Sequence, residues 1–247
     1  MSEAQKRLDL VDRFATELAL SSKGVILVGS VAHSPEKVID TSDIDLLVIV
    51  DDLASMICKV PVSATARNAL QNRVFDGYCT KEAVEDVPVS IHFISDDAFD
   101  VITKCNVADI RVYRPDPKPG SYQLLGFEGQ EYDYWIKNVG LLEMPGSRTV
   151  VPVSFIANDR YYIGIHRDKL LSLPRIMRDP TGTLPGRIDK LWTIVVRNLV
   201  AESNRRYGTV DLERMSVWNA LSRKDKMSGE AKTRITDRTK DYVRRVT

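Results

Sequence analysis

The chain has 247 residues, with 35 Lys and Arg against 34 Asp and Glu, 43 % hydrophobic residues and three cysteines. That length can bury a full core, and no stretch approaches the roughly eighteen apolar residues of a membrane helix. The polar start MSEAQKRLDLVDRF does not read as a signal peptide, so neither a membrane partner nor export is expected, and the expected location is cytoplasmic. Cys58, Cys79 and Cys105 are odd in number and form no CxxC pair, which argues against a disulfide framework or a zinc site and for reduced, buried thiols.

In chain order, Leu8, Val11, Phe14, Ala15, Leu18 and Ala19 recur at helical spacing and predict a helix over residues 4–20, with Gly24 placed as a left-handed cap beyond it. Val25 to Val28 and Ile44 to Val50 are short continuous apolar runs, as in strands covered on both faces. The Ala-rich stretch from Val62 to Val74 predicts a helix. VPVSIHFI, Val87 to Ile94, alternates as a third strand, and Ser95-Asp96-Asp97 opens a helix to about Lys104. Asp109 to Tyr113 reads as another strand.

RPDPKPG, Arg114 to Gly120, cannot continue a helix or a ladder and marks a boundary between units 1–114 and 121–247. Beyond it, Val150 to Ile156 is apolar but hard to assign, and Asn158 caps a helix to about Leu173. PTGTLPG, Pro180 to Gly186, is a loop, and Arg187 to Tyr207 has the stripe of a long amphipathic helix. Further helices are predicted over Asp211 to Leu221 and Ser228 to Val246. The fold class expected is α+β: a small mixed sheet flanked by helices, then a mainly helical second domain.

Charge divides along this line. Residues 1–100 hold 17 acids against 9 Lys and Arg, and residues 101–247 hold 17 against 26. An acidic part suited to cations is joined to a basic part suited to polyanions, so nucleic acid is a partner to consider.

The chemistry concentrates between Gly24 and Asp52. An apolar strand ends in Gly29-Ser30, where glycine lets a backbone turn approach closely and exposed N–H groups with the Ser30 hydroxyl can bind phosphate oxygens. After twelve intervening residues Asp43-Ile44-Asp45 opens the next strand. Residues i and i+2 of a strand share a face, about 6–7 Å apart, so both carboxylates can converge on divalent ions while Ile44 enters the core. Hard oxygen ligands suit Mg²⁺ or Mn²⁺. Two such ions about 3.5–4 Å apart would neutralise a triphosphate and stabilise a leaving pyrophosphate.

Gly29-Ser30 followed by Ser42-Asp43-Ile44-Asp45-Leu46-Leu47-Val48 resembles the signature of the DNA polymerase β-like nucleotidyltransferase superfamily, over Gly24 to about Asp52. The resemblance implies a small mixed sheet with helices on one side, Gly29 and Ser30 on the triphosphate of an NTP, and Asp43 and Asp45 as metal ligands. It implies transfer of a nucleoside monophosphate to a hydroxyl, with release of pyrophosphate. It also implies a third acidic residue on a later strand. In VPVSIHFI that face carries Ser90 and His92 instead, leaving Ser90, His92 and Asp109 as occupants of the position, with Asp86 and Asp97 as further acids nearby in sequence. His92 is a candidate base or metal ligand. His33 and Ser42 flank the motif and are candidate NTP contacts. A second domain in this superfamily commonly supplies a cation to the triphosphate, for which Lys169 and Lys190 are the first choices among the basic residues that include Arg160, Arg167 and Arg187. Tyr161, Tyr162 and Trp192 could stack on a base or serve the core.

The expected function is metal-dependent nucleotidyl transfer to a small molecule, a tRNA or a protein hydroxyl. The alternative is a catalytically impaired relative acting as a nucleotide- or nucleic-acid-binding module or antitoxin-like partner.

Overall fold

A computed structural model describes residues 2–20, 22–51, 77–104, 111–115, 122–125, 140–143, 150–153, 169–211 and 227–247. These form a mixed α/β structure. Its elements are α1 (Glu3–Glu17), β1 (Gly24–Val28), the short turn of helix α2 (Ser30–His33), β2 (Ile44–Val50), β3 (Gly77–Val84), β4 (Val87–Ser95), α3 (Asp96–Lys104), β5 (Arg111–Pro115), β6 (Tyr122–Leu125), β7 (Gly140–Glu143), β8 (Val150–Val153), β9 (Arg175–Arg178), α4 (Leu184–Tyr207) and α5 (Gly229–Val246). The helices expected over 62–74 and 211–221 and most of the one over 158–173 lie outside the described residues, as do Cys58 and Cys105.

Five strands make one mixed sheet in the order β3-β4-β2-β1-β9. β1 and β2 run antiparallel with Val28 opposite Asp45. β2 and β4 run parallel, which sets Asp45 against Ser90 and Leu47 against His92. β9 comes from the part of the chain beyond RPDPKPG, yet pairs with β1. Strands β6-β5-β7-β8 form a second, antiparallel sheet.

β1 and β2 are buried along their whole length, the reason both read as unbroken apolar runs. Val25, Leu27, Ile44, Leu46 and Val48 pack with Leu10 and Val11 of α1. Ile26, Val28, Leu47 and Ile49 pack on the other face with Phe99 of α3, Ile188, Leu191 and Trp192 of α4, and Ile235 of α5. Each such buried side chain contributes about 1.5–3 kcal/mol by removal from water. Helices therefore cover both faces, whereas the resemblance implied one. The added layer comes from α4 and α5, whose stripes share the core of the first sheet.

Four local departures from the sequence reading have physical causes. Gly24 does not cap α1, which ends through Leu18. It is the first residue of β1, where an added Cβ would meet Leu184 Cδ1 at 2.7 Å. The strand β3, which the sequence did not announce, forms a hairpin with β4 through Glu85 and Asp86, both at positive φ; that turn lacks the Asn-Gly or Asp-Gly that would have flagged it. α4 starts inside PTGTLPG, because Pro185 suits a first helical turn and the Asp179 carboxylate accepts from the N–H groups of Thr183 and Leu184 at 3.2 and 3.0 Å. Finally, β2 begins at Ile44, so Asp43 stands one residue before the strand.

Where β1 starts and β2 and β4 finish, a charge network joins these strands to α3 and α4. Lys23 reaches Asp51 and Asp96, and Arg187 bonds Asp96 at 2.6 Å and Asp100 at 2.5 Å while lying over the Phe99 ring. Partial burial would raise the Asp96 carboxyl, but Arg187 and Lys23 outweigh it and hold the group below its ordinary 3.8. A depressed folded value means that the network's stabilisation is complete above the ordinary value and is lost as pH falls through the folded one. Thermal unfolding followed from about pH 5 to pH 2 is expected to show a shallower acid limb in Asp96→Asn than in the parent; superimposable limbs would remove Asp96 from this role. Among the described residues no helix is long and apolar enough to cross a membrane.

Candidate functional site

The site forms where β1 ends and β2 begins. After Val28 the chain turns at Gly29, whose φ of +76° and ψ of −162° belong to a region that is essentially glycine's alone. The Gly29 carbonyl accepts from Ala32 N and His33 N at 3.2 Å, starting α2. β2 brings Asp45 to the same place, on the face covered by α3, α4 and α5. A Cβ on Gly29 would lie 2.3 Å from Asp45 Oδ2. Glycine is thus required twice, by the backbone and by the approach of the carboxylate.

Asp45 is 6 % exposed. Lys169 Nζ donates to Asp45 Oδ1 at 2.8 Å, and His92 Nε2 lies 3.3 Å from the same ammonium and 3.7 Å from the same oxygen. Lys169 is 5 % exposed and His92 fully buried. Nε2 thus faces both members of the ion pair, the Lys169 ammonium and the Asp45 carboxylate. Burial alone would raise the Asp45 carboxyl, but the Lys169 charge, with His92 beside it, holds it well below the usual carboxylate range. Asp45 is therefore ionised throughout the physiological range.

The strand alternation placed Ser90 and His92 on the Asp45 face, and the parallel register puts Ser90 directly beside Asp45. Of the candidates for the third-acid position, Ser90 is a buried hydroxyl in register with Asp45, and His92 is a buried imidazole one step along the same face. Asp86 lies in the exposed β3–β4 turn. Asp109, Arg160, Tyr161, Tyr162 and Arg167 lie outside the described residues, and of the Asp97 side chain nothing is described.

The other sequence candidates divide. Ser30 is half-buried at the start of α2, next to the Gly29 turn. His33 is buried, its Nδ1 2.8 Å from Ser34 Oγ, and that hydroxyl also accepts from Ser228 N at 2.9 Å. His33 thereby ties α2 to the start of α5. Ser42 closes a turn, its N–H on the Ile39 carbonyl and its Oγ accepting from Ile39 N, each at 3.0 Å. Lys190 is exposed on α4 and stands outside the Asp45 cluster. Trp192 is a core residue stacked on Tyr242 at 5.5 Å.

The sequence reading missed Arg7. It sits fully buried on α1, donating from Nε to the Ser42 carbonyl at 2.8 Å and from Nη2 to the Asp40 carbonyl at 2.6 Å. Its signal was legible, because Arg7 falls on the helical stripe that continues through Leu10, Val11 and Phe14.

Asp43 and Asp45 are hard oxygen donors of the type that suits a divalent ion, with Asp45 Oδ2 against the glycine turn and Oδ1 on Lys169. Among the described residues no group of three or more His, Cys, Asp or Glu side chains gathers as a metal cage. A two-carboxylate set of this kind matches Mg²⁺, which keeps several waters and takes further oxygens from phosphates. No protein-family model matches the chain, and no curated protein does.

Proposed function

We propose that the protein is a metal-dependent nucleotidyltransferase, moving a nucleoside monophosphate from an NTP to a hydroxyl of an acceptor with release of pyrophosphate. The observation that carries this reading is the contact between the Gly29 turn and the Asp45 carboxylate, because it joins a phosphate-sized backbone turn and a metal-ligating oxygen in one site. The resemblance of Gly29-Ser30 and Asp43-x-Asp45 to the polymerase β-like signature supports it. In the reaction a bond forms between the acceptor oxygen and the α-phosphorus, the bond to the β-phosphate oxygen breaks, and the hydroxyl proton is released.

The chain's own groups divide the work. The Gly29–Ser30 turn receives phosphate oxygens through backbone N–H groups and the Ser30 hydroxyl. Lys169, held by His92, places a fixed ammonium beside Asp45 that offsets phosphate charge. Asp43 and Asp45 are the residues that would hold Mg²⁺ or Mn²⁺, whose charge, when bound, stabilises the pyrophosphate as it leaves. The basic C-terminal half favours an acceptor that is itself anionic, such as a tRNA or phosphorylated small molecule, or a protein hydroxyl, over a polycationic one.

A second reading is favoured by one observation. Ser90, a hydroxyl and not an acid, stands in register with Asp45, which supports a fold member that has lost turnover and keeps nucleotide or nucleic-acid binding. Pyrophosphate release with Mg²⁺ and a panel of NTPs separates the two. The enzyme is expected to turn over at least one NTP and to lose on the order of 10³-fold in rate in Asp43→Ala with Asp45→Ala. Turnover persisting in that double variant overturns the assignment; steeply salt-dependent RNA or DNA binding without any turnover establishes the second reading.

A further inference from the structure

We infer that Arg7 is a positioning residue for the metal-binding carboxylate of Asp43, an inference that rests on the reading of Asp43 as a metal ligand. Two carboxylates of the motif are held in different ways. Asp45 lies within β2, paired with Val28 on one side and Ser90 on the other, and its side chain is fixed by Lys169. Asp43 precedes the strand and has no place in either ladder. Its backbone is set by the turn Ile39–Ser42, and Arg7 holds that turn.

The guanidinium spends its donors on backbone oxygens. Nε donates to the Ser42 carbonyl at 2.8 Å, Nη2 to the Asp40 carbonyl at 2.6 Å and Nη1 to the Glu3 carbonyl at 3.1 Å, while the Glu3 carboxylate supplies the counter-charge. The Ser42 carbonyl belongs to the peptide group that ends in the Asp43 nitrogen. Fixing that plane fixes the direction in which Asp43 leaves the turn. The bonds span 33 and 35 residues of sequence, so they join α1 to the motif rather than stabilise α1 itself.

The alternative, that Arg7 is only a helix-packing residue, meets an energetic objection. A fully buried guanidinium is costly to desolvate, and an apolar side chain of similar volume at this point of the stripe would pack at least as stably. What the arginine adds is a planar fork that grips two carbonyls of one turn at once, which a lysine cannot reproduce.

The test uses the full chain, Mn²⁺ titrated by electron paramagnetic resonance, and steady-state kinetics of pyrophosphate release, on parent, Arg7→Met, Arg7→Lys and Asp43→Ala. Arg7→Met is expected to keep its circular dichroism, to bind Mn²⁺ about tenfold or more weakly, as when a group orienting a metal ligand is removed, and to lose kcat with the KM for NTP within about twofold. Arg7→Lys should recover part of the loss. Should Arg7→Met fail to fold, Arg7→Lys carries the test alone, with weakened Mn²⁺ binding expected from a folded variant. Parent-like Mn²⁺ affinity in a folded Arg7 variant, with affinity lost in Asp43→Ala, overturns the role of Arg7 and leaves the reading of the site standing. Equal Mn²⁺ affinity in parent and Asp43→Ala overturns both.

Discussion

Asp45→Asn is expected to abolish pyrophosphate release and also to destabilise the fold by about 3–5 kcal/mol, the cost of stripping one partner from a buried ion pair. The second effect is the diagnostic one. Lys169 is 5 % exposed and its ammonium rests on Asp45 Oδ1, so the amide keeps an oxygen that can accept from it but removes the negative charge that balances it in the core. Lys169→Met makes the complementary error, leaving the Asp45 carboxylate buried against the Gly29 turn. Each single change should therefore be severe, and the double change Asp45→Asn with Lys169→Met should cost clearly less than their sum, with a coupling on the order of 1–3 kcal/mol. Denaturant unfolding of the four proteins at neutral pH measures this directly. Strict additivity would mean that the pair does not hold together in solution, and the proposed role of Lys169 toward a triphosphate would fall with it.

The same pair explains how much of the site was legible in the sequence. The placement of Gly29 and Ser30 at a turn after β1, and of Asp45 at the start of β2, could be read because it is set locally, by a strand, a turn and a strand start, each within a few residues. The facing of Ser90 and His92 could be read too, since alternation along a strand fixes sides, and the observed register sets Ser90 beside Asp45. Lys169 was only one of several basic residues in its half. What selects it is a contact across 124 residues, and nothing in local spacing encodes which of several cations a tertiary fold will deliver. Lys190, read on equal terms with Lys169, ends on the exposed side of α4. His33 shows how tertiary packing adds a contact that local spacing does not announce. Its sequence position beside the turn suggested a phosphate or solvent, and the docking of the α5 start on Ser34 buries it instead.

The helical part of the fold illustrates the same limit. The stripe from Ile188 to Val200 announced α4, and the helix expected over Ser228 to Val246 is α5, with Ser228 as its cap accepting from Ala231 N at 3.0 Å. Amphipathicity says that a helix has an apolar face and not what covers it. Proline-rich RPDPKPG suggested a separate unit, yet β9 pairs with β1 and Trp192 packs with Ile26 and Ile49 in one core. Nor does the segment end the ladder where it begins, since Arg114 and Pro115 belong to β5 and pair with Gln123 and Tyr122; Pro115 falls at the strand's last residue, where a missing N–H is tolerated.

Gly29→Ala is expected to be the most damaging change of a single carbon in the described residues, and it can be separated into two causes. The first is backbone strain. A side chain at φ +76°, ψ −162° costs on the order of 1–3 kcal/mol. The second is steric, since the new Cβ would lie 2.3 Å from Asp45 Oδ2 and 3.2 Å from its Cγ. A surface carboxylate could swing aside, but Asp45 is buried and its other oxygen is held by Lys169, so relief requires breaking that ion pair or opening the turn. Gly182 supplies the control. It too has positive φ, +66°, but a Cβ there would meet nothing within 4 Å, so Gly182→Ala carries strain without a collision. Gly29→Ala should therefore be less stable than Gly182→Ala in denaturant unfolding and should bind Mn²⁺ and NTP more weakly, while Gly182→Ala binds both as the parent does. In a Lys169→Met background Asp45 is freer to move, and the stability cost of Gly29→Ala should shrink. Equal losses in the two glycine variants, with Mn²⁺ binding untouched, would show that the turn and the carboxylate are not in contact, and the observation on which the proposed chemistry stands would fall with them.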